Sequence, residues 1–324
     1  MTEAVQPPID VEAAVRGTDA RIRPYVLTTP VVESVTLTAE SGSPVVLKCE
    51  NLQHTGSFKA RGALSKSLAL TPDERKRGIV TASTGNHGAA VAYAARIVGT
   101  SALVFVPDNA NPSKVATIER LGARTRVHGT DTVESEAAAR RWSEEQGLTY
   151  ISPYNDILVI GGQGTIGLEL LEQVERLAAV YVAVGGGGLA SGVAGVIKAL
   201  SPSTRVIGCS PSASSVMYHS LQAGQILDLP SEPTMSDGTA GGVEAGSITF
   251  GLLQQRLDGF VLVSEADIRA AFLDLIEIEH MLAEGSAAMA YAACRQHASQ
   301  IDGATVVILC GGNVGVDRLR TILD

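Results

Sequence analysis

Three stretches of the chain carry residue types that do chemistry. In the first, Leu47–Ala63 is polar and glycine-punctuated and holds Lys59, one of six lysines, directly after Phe58. A neutral lysine amine attacks carbonyl carbon to give a Schiff base; taken alone, Lys59 reads more readily as a surface lysine opening a helix. In the second, Gly185-Gly186-Gly187-Gly188 follows the apolar run Tyr181–Val184 and precedes Leu189 and the helix-compatible Ala190–Leu200. Strand, glycine loop and helix start form an anion cradle, because glycine lets the backbone approach closely and the first N–H groups of a helix have no partner within it. In the third, Ser83-Thr84-Gly85-Asn86-His87-Gly88 follows the run Gly78–Thr81. A helix start there suits a carboxylate, and the same residues also read as an ordinary N-cap. His87 is claimed only for its backbone.

The glycine loop admits more than one ligand. Gly185, Gly187 and Ala190 match a dinucleotide fingerprint, which asks for an acid at the end of the next strand to hold a ribose hydroxyl. That strand ends Gly208-Cys209-Ser210, without an acid, so a single phosphate monoester is preferred. A tight packing turn is the ligand-free alternative, at the entropic cost of four consecutive glycines. A Schiff-base lysine together with a phosphate cradle is what pyridoxal phosphate requires.

The elements that must position these residues are short apolar runs alternating with helical segments: Val45–Leu47, Gly78–Thr81, Ala102–Val106, Thr125–Val127, Val180–Val184, Val206–Gly208 and Val306–Cys310. Such continuous strands imply parallel sheets covered on both faces, an α/β fold. Close spacing of the strands within 78–151 predicts a compact lobe. Asp267–Leu282 predicts a helix burying Ile268, Phe272, Leu275 and Leu282. Ser113 opens another helix, which Gly122 ends. Pro230, Pro233 and Gly238 mark a polar surface excursion.

Composition removes several function classes. Of the 324 residues, 45% are apolar and 18% charged, which excludes a disordered polyelectrolyte. The net charge of −9, with no basic run and an aromatic fraction of 4%, argues against nucleic acid. Cys49, Cys209, Cys294 and Cys310 fit no zinc spacing and predict buried thiols in a reducing, cytoplasmic setting. No signal peptide and no membrane span is expected. Neither a GxSxG nor an HExxH motif occurs, which disfavours a hydrolase.

From Thr29-Pro30 to Gly311-Gly312-Asn313, and most specifically in Ser57-Phe58-Lys59-x-Arg61-Gly62-Ala63 and Gly185–Gly188, the chain resembles the fold-type II pyridoxal-phosphate enzymes, in particular the threonine/serine dehydratase and serine racemase group. The resemblance implies two lobes, each a largely parallel twisted sheet flanked by helices, of the tryptophan-synthase-β type: a small mobile domain over 66–152, with 1–65 and 153–324 forming a large cofactor-binding domain. It implies that Lys59 holds the cofactor and moves the Cα proton, that Phe58 packs beside the pyridine ring, and that Gly185, Gly186, Gly187, Gly188 and Leu189 hold the phosphate. Asn86 is implied to bond the phenolic oxygen, Cys310 to face the pyridine nitrogen, and Ser83, Thr84, Gly85, Asn86 and His87 to grip the substrate carboxylate. Gly161-Gly162-Gln163-Gly164-Thr165 and Glu169 match a crossing into the large lobe, and Pro107–Lys114 with Leu121-Gly122-Ala123 a small-lobe motif; both are architectural expectations. A homodimer is implied as well.

The chain also departs from that group. No Asp or Glu occurs between Ser201 and Asp228, so no divalent metal is expected there. Cys310 is a weak donor, which implies a neutral ring and fast β-elimination. Thr84 stands where racemases of this group carry a serine, and its hydroxyl keeps a second acid/base open. No C-terminal regulatory extension is expected. The reading is a dehydratase (ammonia-lyase) converting a small L-3-hydroxy-amino acid, by default L-threonine or L-serine, to a 2-oxo acid and ammonia. A serine or amino-acid racemase is the alternative, as is a dehydratase of threo-3-hydroxyaspartate, for which Arg61 is the nearest cation in sequence. A pyridoxal-phosphate carrier without turnover is the non-enzyme alternative.

Overall fold

The structure, a computed structural model, describes residues 9–298 and 301–323. In chain order the strands are β1 (Val31–Glu33), β2 (Val45–Lys48), β3 (Ile79–Ala82), β4 (Ala102–Val106), β5 (Arg124–Val127), β6 (Thr149–Tyr150), β7 (Leu177–Ala183), β8 (Arg205–Pro211), β9 (Gly259–Val263) and β10 (Ala304–Ile308). Six of them form a sheet in the order β1-β2-β10-β7-β8-β9, and the other four a sheet in the order β5-β4-β3-β6. Every pairing is parallel except β1 with β2. Every residue of β3 and β10 is buried. Strands buried on both faces need helices above and below, which is why their sequences run apolar without alternation.

Three strands lie outside the seven apolar runs, β1, β6 and β9, and each is an edge strand of its sheet. β1 (Val31–Glu33) and β6 (Thr149–Tyr150) are too short to form an apolar run, whereas residues 260–263 of β9 form one that lies outside those seven. The helix expected over 267–282 runs instead from Glu265 to Glu277, capped by Ser264. Ile268, Phe272 and Leu275 are buried as expected, but Leu282 is 47% exposed. Past Glu277 the chain turns: His280 takes φ +56° and Met281 N–H reaches back to Leu275 O at 2.7 Å. The second helix starts at Pro112, with Asn111 as its cap, and stops at Arg120. Gly122 takes φ +101° just beyond it, a left-handed position that favours glycine.

The helix Lys59–Leu68 is the element that matters most for chemistry, because Lys59 is its first residue. It is fastened at two places. Gly162, in the helix Ile157–Gln173, faces it so closely that a Cβ there would lie 2.5 Å from Arg61 O and 2.6 Å from Gly62 Cα. The two helices therefore touch backbone to backbone, which only glycine permits. The second fastening is ionic. Arg61 is wholly buried and spends its donors on Glu50 (2.8 and 2.9 Å), Glu169 (2.7 and 2.9 Å), Thr165 and Leu27 O. Buried Lys48, at the end of β2, reaches Glu169 at 2.6 Å and Thr29 O at 2.7 Å. Arg61 is thus committed to the core. It is not the cation that a dianionic substrate would need.

Burial pushes the Glu169 carboxyl up, yet Arg61 and Lys48 outweigh it and hold the group below its ordinary 4.5. Its contribution is full above the ordinary carboxylate range and is lost as pH falls through the depressed folded value. Glu169→Ala strips Arg61 and Lys48 of a counter-charge inside the core. A destabilisation of about 3–5 kcal/mol is expected, read from the denaturant midpoint. A loss under about 1 kcal/mol, the level of a surface pair, would contradict the account.

Candidate active site

The segment 49–58 is zipped onto the residues that follow β10. Asn51 N–H donates to Leu309 O at 3.0 Å, Phe58 N–H to Cys310 O at 3.0 Å, and Gly312 N–H to Gly56 O at 2.9 Å. Ser57 and Gly311 form an antiparallel bridge. This lays Cys310 beside the start of the Lys59 helix, although 251 positions separate the two in sequence.

Lys59 is half-buried, and its Nζ donates to Pro153 O at 2.9 Å. The same Nζ lies 5.1 Å from the centroid of the buried Phe58 ring. Desolvation lowers the Lys59 pKa to about 8, against the pull of Glu284 and Cys310, which favours the charged form. The shift raises the neutral fraction near physiological pH far above that of an ordinary lysine, which is what a nucleophilic amine needs.

The glycine loop adjoins the segment that holds Lys59, through Tyr154 next to Pro153. Gly187 takes φ +89° as the cap of the helix Gly188–Leu200. Crowding alone demands glycine here: a Cβ at Gly185 would lie 2.8 Å from the Thr239 backbone, and one at Gly186 or Gly188 would meet Tyr154 at 2.4 or 2.9 Å. Packing is only half of the account. The N–H groups of Gly185, Gly186, Gly187, Gly188, Leu189 and Ala190 donate to no protein acceptor among the described residues. Partly buried N–H groups without partners call for an anion.

A second set of free donors follows β3 of the other sheet, at the turn whose His87 feels the Lys59 charge. After β3, the helix Asn86–Val98 begins at Gly85, which offers no side-chain cap; Ser83 Oγ instead accepts from Gly85 N–H at 3.1 Å. Among the described residues, the N–H groups of Thr84, Asn86, His87 and Gly88 have no protein acceptor. The buried His87 ring bonds Ile151 O at 2.9 Å. Burial and the nearby Lys59 charge lower its pKa to about 3. His87 is therefore neutral and anchors the turn through its ring.

Glu284 is the residue that sequence reasoning missed. It is 5% exposed, and both its oxygens accept from Asn86 Nδ2, at 2.8 and 3.0 Å. Cys310 Sγ lies 3.7 Å from its Oε1. Desolvation raises its pKa to about 7, with Asp237 adding to the rise and Asn86, Cys310 and Lys114 opposing it. Desolvation by burial is also the first cause that holds the Cys310 thiol well above its ordinary value. Asn86 Oδ1 accepts from Asn313 Nδ2 at 2.7 Å, which ties the amide to the end of the β10 connection. One sequence signal for Glu284 exists: it is the lone charge in the small-residue run 281–294.

These groups fit pyridoxal phosphate: a part-neutral amine for its carbonyl, a ring of unspent N–H donors for its phosphate, and polar side chains (Asn86, Cys310) beside the amine. A second unspent nest suits a carboxylate. Among the described residues, no group of three or more His, Cys, Asp or Glu is placed to hold a metal ion.

Comparison with known proteins agrees with this geometry. The profile of the family described as "Pyridoxal-phosphate dependent enzyme" matches residues 22–311. The chain is 36% identical over 311 residues to the L-threonine ammonia-lyase of Geobacter sulfurreducens, covering 96% of this chain and 77% of that one. It is 39% identical over 296 residues to the L-threonine ammonia-lyase of Thermotoga maritima, covering 91% and 74%. The structure of maize serine racemase superposes with a TM-score of 0.89 at 35% identity, covering 96% of each chain.

The Lys59 value gives a pH prediction. Only the neutral amine attacks a carbonyl, so the rate at which the apo-protein captures pyridoxal phosphate should rise through an apparent pKa of about 8. Stopped-flow absorbance from pH 6 to 10 checks this; a rate still climbing as for an unperturbed lysine, near about 10.4, would contradict it.

Proposed function

The chain belongs to the pyridoxal-phosphate dependent enzymes, and on that premise we propose that it is an ammonia-lyase (dehydratase) of small L-3-hydroxy-amino acids, L-threonine or L-serine first. The observation that carries the proposal is that Lys59 bonds Pro153 O, next to the Tyr154 that walls the unspent N–H groups of Gly185–Ala190, while its charge reaches His87 in the second unspent set, Thr84–Gly88. Pyridoxal phosphate, when bound, supplies the electron sink that lets a Cα–H bond break. Lys59 Nζ takes that proton. The Ser83–His87 turn holds the substrate carboxylate through Thr84, Asn86 and His87 N–H, so that the Cα–H bond is oriented before it breaks. The glycine loop and Leu189 hold the cofactor's phosphate, and Phe58, Asn86 and Cys310 border its ring. Loss of the β-hydroxyl and hydrolysis then yield a 2-oxo acid and ammonia.

The names of the two ammonia-lyases, matched over nine-tenths of this chain or more, support lyase chemistry. Racemisation is the second reading. It is favoured by the Thr84 hydroxyl within the carboxylate turn and by the likeness to maize serine racemase. Exchange of the Cα proton with recovery of substrate distinguishes it. Substrate charge is set by the cleft wall: Glu284 and Asp237 are acidic, Lys114 pairs with Asp237 at 3.2 Å, and Arg61 is spent in the core. A monoanionic substrate therefore suits the site better than threo-3-hydroxyaspartate. Four buried cysteines without disulfides support a cytoplasmic enzyme, and the family resemblance supports a homodimer. Among the described residues no helix is long and apolar enough to cross a membrane.

Cofactor-loaded protein should form 2-oxo acid from L-threonine and L-serine, and slowest from L-threo-3-hydroxyaspartate. Lys59→Ala should abolish turnover. Silence with all three substrates, or full activity in Lys59→Ala, would overturn the proposal.

A further inference from the structure

Glu244 lies in the segment joining the helices Val216–Ala223 and Ile248–Arg256, and nothing in the function above gives it a task. Three parts of the molecule nevertheless meet at it. From the four-stranded sheet's side, Arg140 Nη2, on the helix Thr132–Gln146, donates to Glu244 Oε2 at 3.1 Å. From the segment after β6, Asn155 Nδ2 donates to the same oxygen at 3.0 Å. The main chain is pinned there too: Glu244 N–H donates to the Tyr154 hydroxyl at 2.9 Å, and Ile248 N–H to Asn155 Oδ1 at 3.0 Å.

Arg140 is held ready for this contact. Its guanidinium lies 4.3 Å from the Tyr150 ring centroid and pairs with Glu136 at 2.7 Å. On the far side of the same segment stand the groups assigned to the cofactor. Pro153 O accepts from Lys59 Nζ, and the Tyr154 ring is the surface that a Cβ at Gly186 would strike. Residues 153–155 thus face the lysine and the glycine loop on one side and Glu244 on the other.

We propose that Glu244 is a positioning residue, a clasp through which the helix Thr132–Gln146 holds segment 153–155 where it fixes Lys59 and walls the phosphate loop. The proposal rests on the cofactor reading above. Arg140 and Glu244 side chains are each about one third exposed, so the pair adds little to global stability. Its effect falls on the placement of Pro153 and Tyr154, hence on how tightly the cofactor is held.

The test titrates apo-protein with pyridoxal phosphate and reads the absorbance change of capture by Lys59. It is run on wild type, Glu244→Ala, Glu244→Gln, Arg140→Ala and the Arg140→Ala/Glu244→Ala double variant. Each alanine variant should bind the cofactor about five- to tenfold more weakly, and the double variant no more weakly than either single, as for coupled groups. Glu244→Gln, which keeps an acceptor for Asn155 and loses the charge, should fall between. Raising ionic strength should move wild type toward the variants. Apo melting temperatures should stay within about 2 °C of wild type. Affinity within twofold of wild type in Glu244→Ala, or losses that multiply in the double variant, would overturn the clasp. So would an apo melting point that falls in step with affinity, the mark of a merely structural role. Wild type that captures no cofactor at all would overturn the cofactor reading itself, and the clasp with it.

Discussion

Two buried carboxylates gripping one buried guanidinium fix everything else in the cleft. Glu50 and Glu169 hold Arg61, and Lys48 closes the cluster on Glu169. Arg61 sits two residues after Lys59 on the same helix, so the cluster ties the amine's helix to the core. Charges out of water are expensive unless each finds a partner. Paired in this way, they fasten the start of the helix that carries Lys59. The close crossing of this helix with Ile157–Gln173, through Gly62 and Gly162, adds a steric constraint to the ionic one.

From that fixed point the site is assembled by backbone pairing across long sequence separations. The zip of 49–58 onto 309–313 brings Cys310 to Lys59, and Glu284 then bridges Cys310 to Asn86 in the other sheet's first helix. Burial shifts the two ionisable groups of this wall in opposite senses, the Lys59 amine down to about 8 and the Glu284 carboxyl up to about 7. Each moves toward neutral pH for the same reason: a dry cleft disfavours charge. A part-neutral base and two nests of unspent N–H donors suit a carbonyl compound bearing a phosphate and, beside it, a second molecule bearing a carboxylate.

Much of this was legible in the sequence because it depends on local patterns. The glycine loop after an apolar strand, the lysine after an aromatic and the polar turn after β3 are each contiguous, and the strand runs reported parallel sheets through their unbroken apolarity. What stayed hidden depends on distance or on edges. Arg61 reads in sequence as a cation near the lysine, but its partners Glu50 and Glu169 lie 11 and 108 positions away. Tyr154 and Glu244 are 90 positions apart. Neither has a periodic or motif signature, because their roles arise only when two segments dock. Edge strands β1 and β6 are too short to leave an apolar run, and the stripe through Leu282 continued past a helix that ends at Glu277.

The central claim is that Lys59, out of six lysines, is the one that takes the cofactor. Borohydride reduction of the protein loaded with pyridoxal phosphate makes that bond permanent, and peptide mapping locates it. The account predicts one pyridoxyl group per chain, on the peptide that contains Lys59. Labelling at any of the other five lysines in its place, or no stable label, would contradict it.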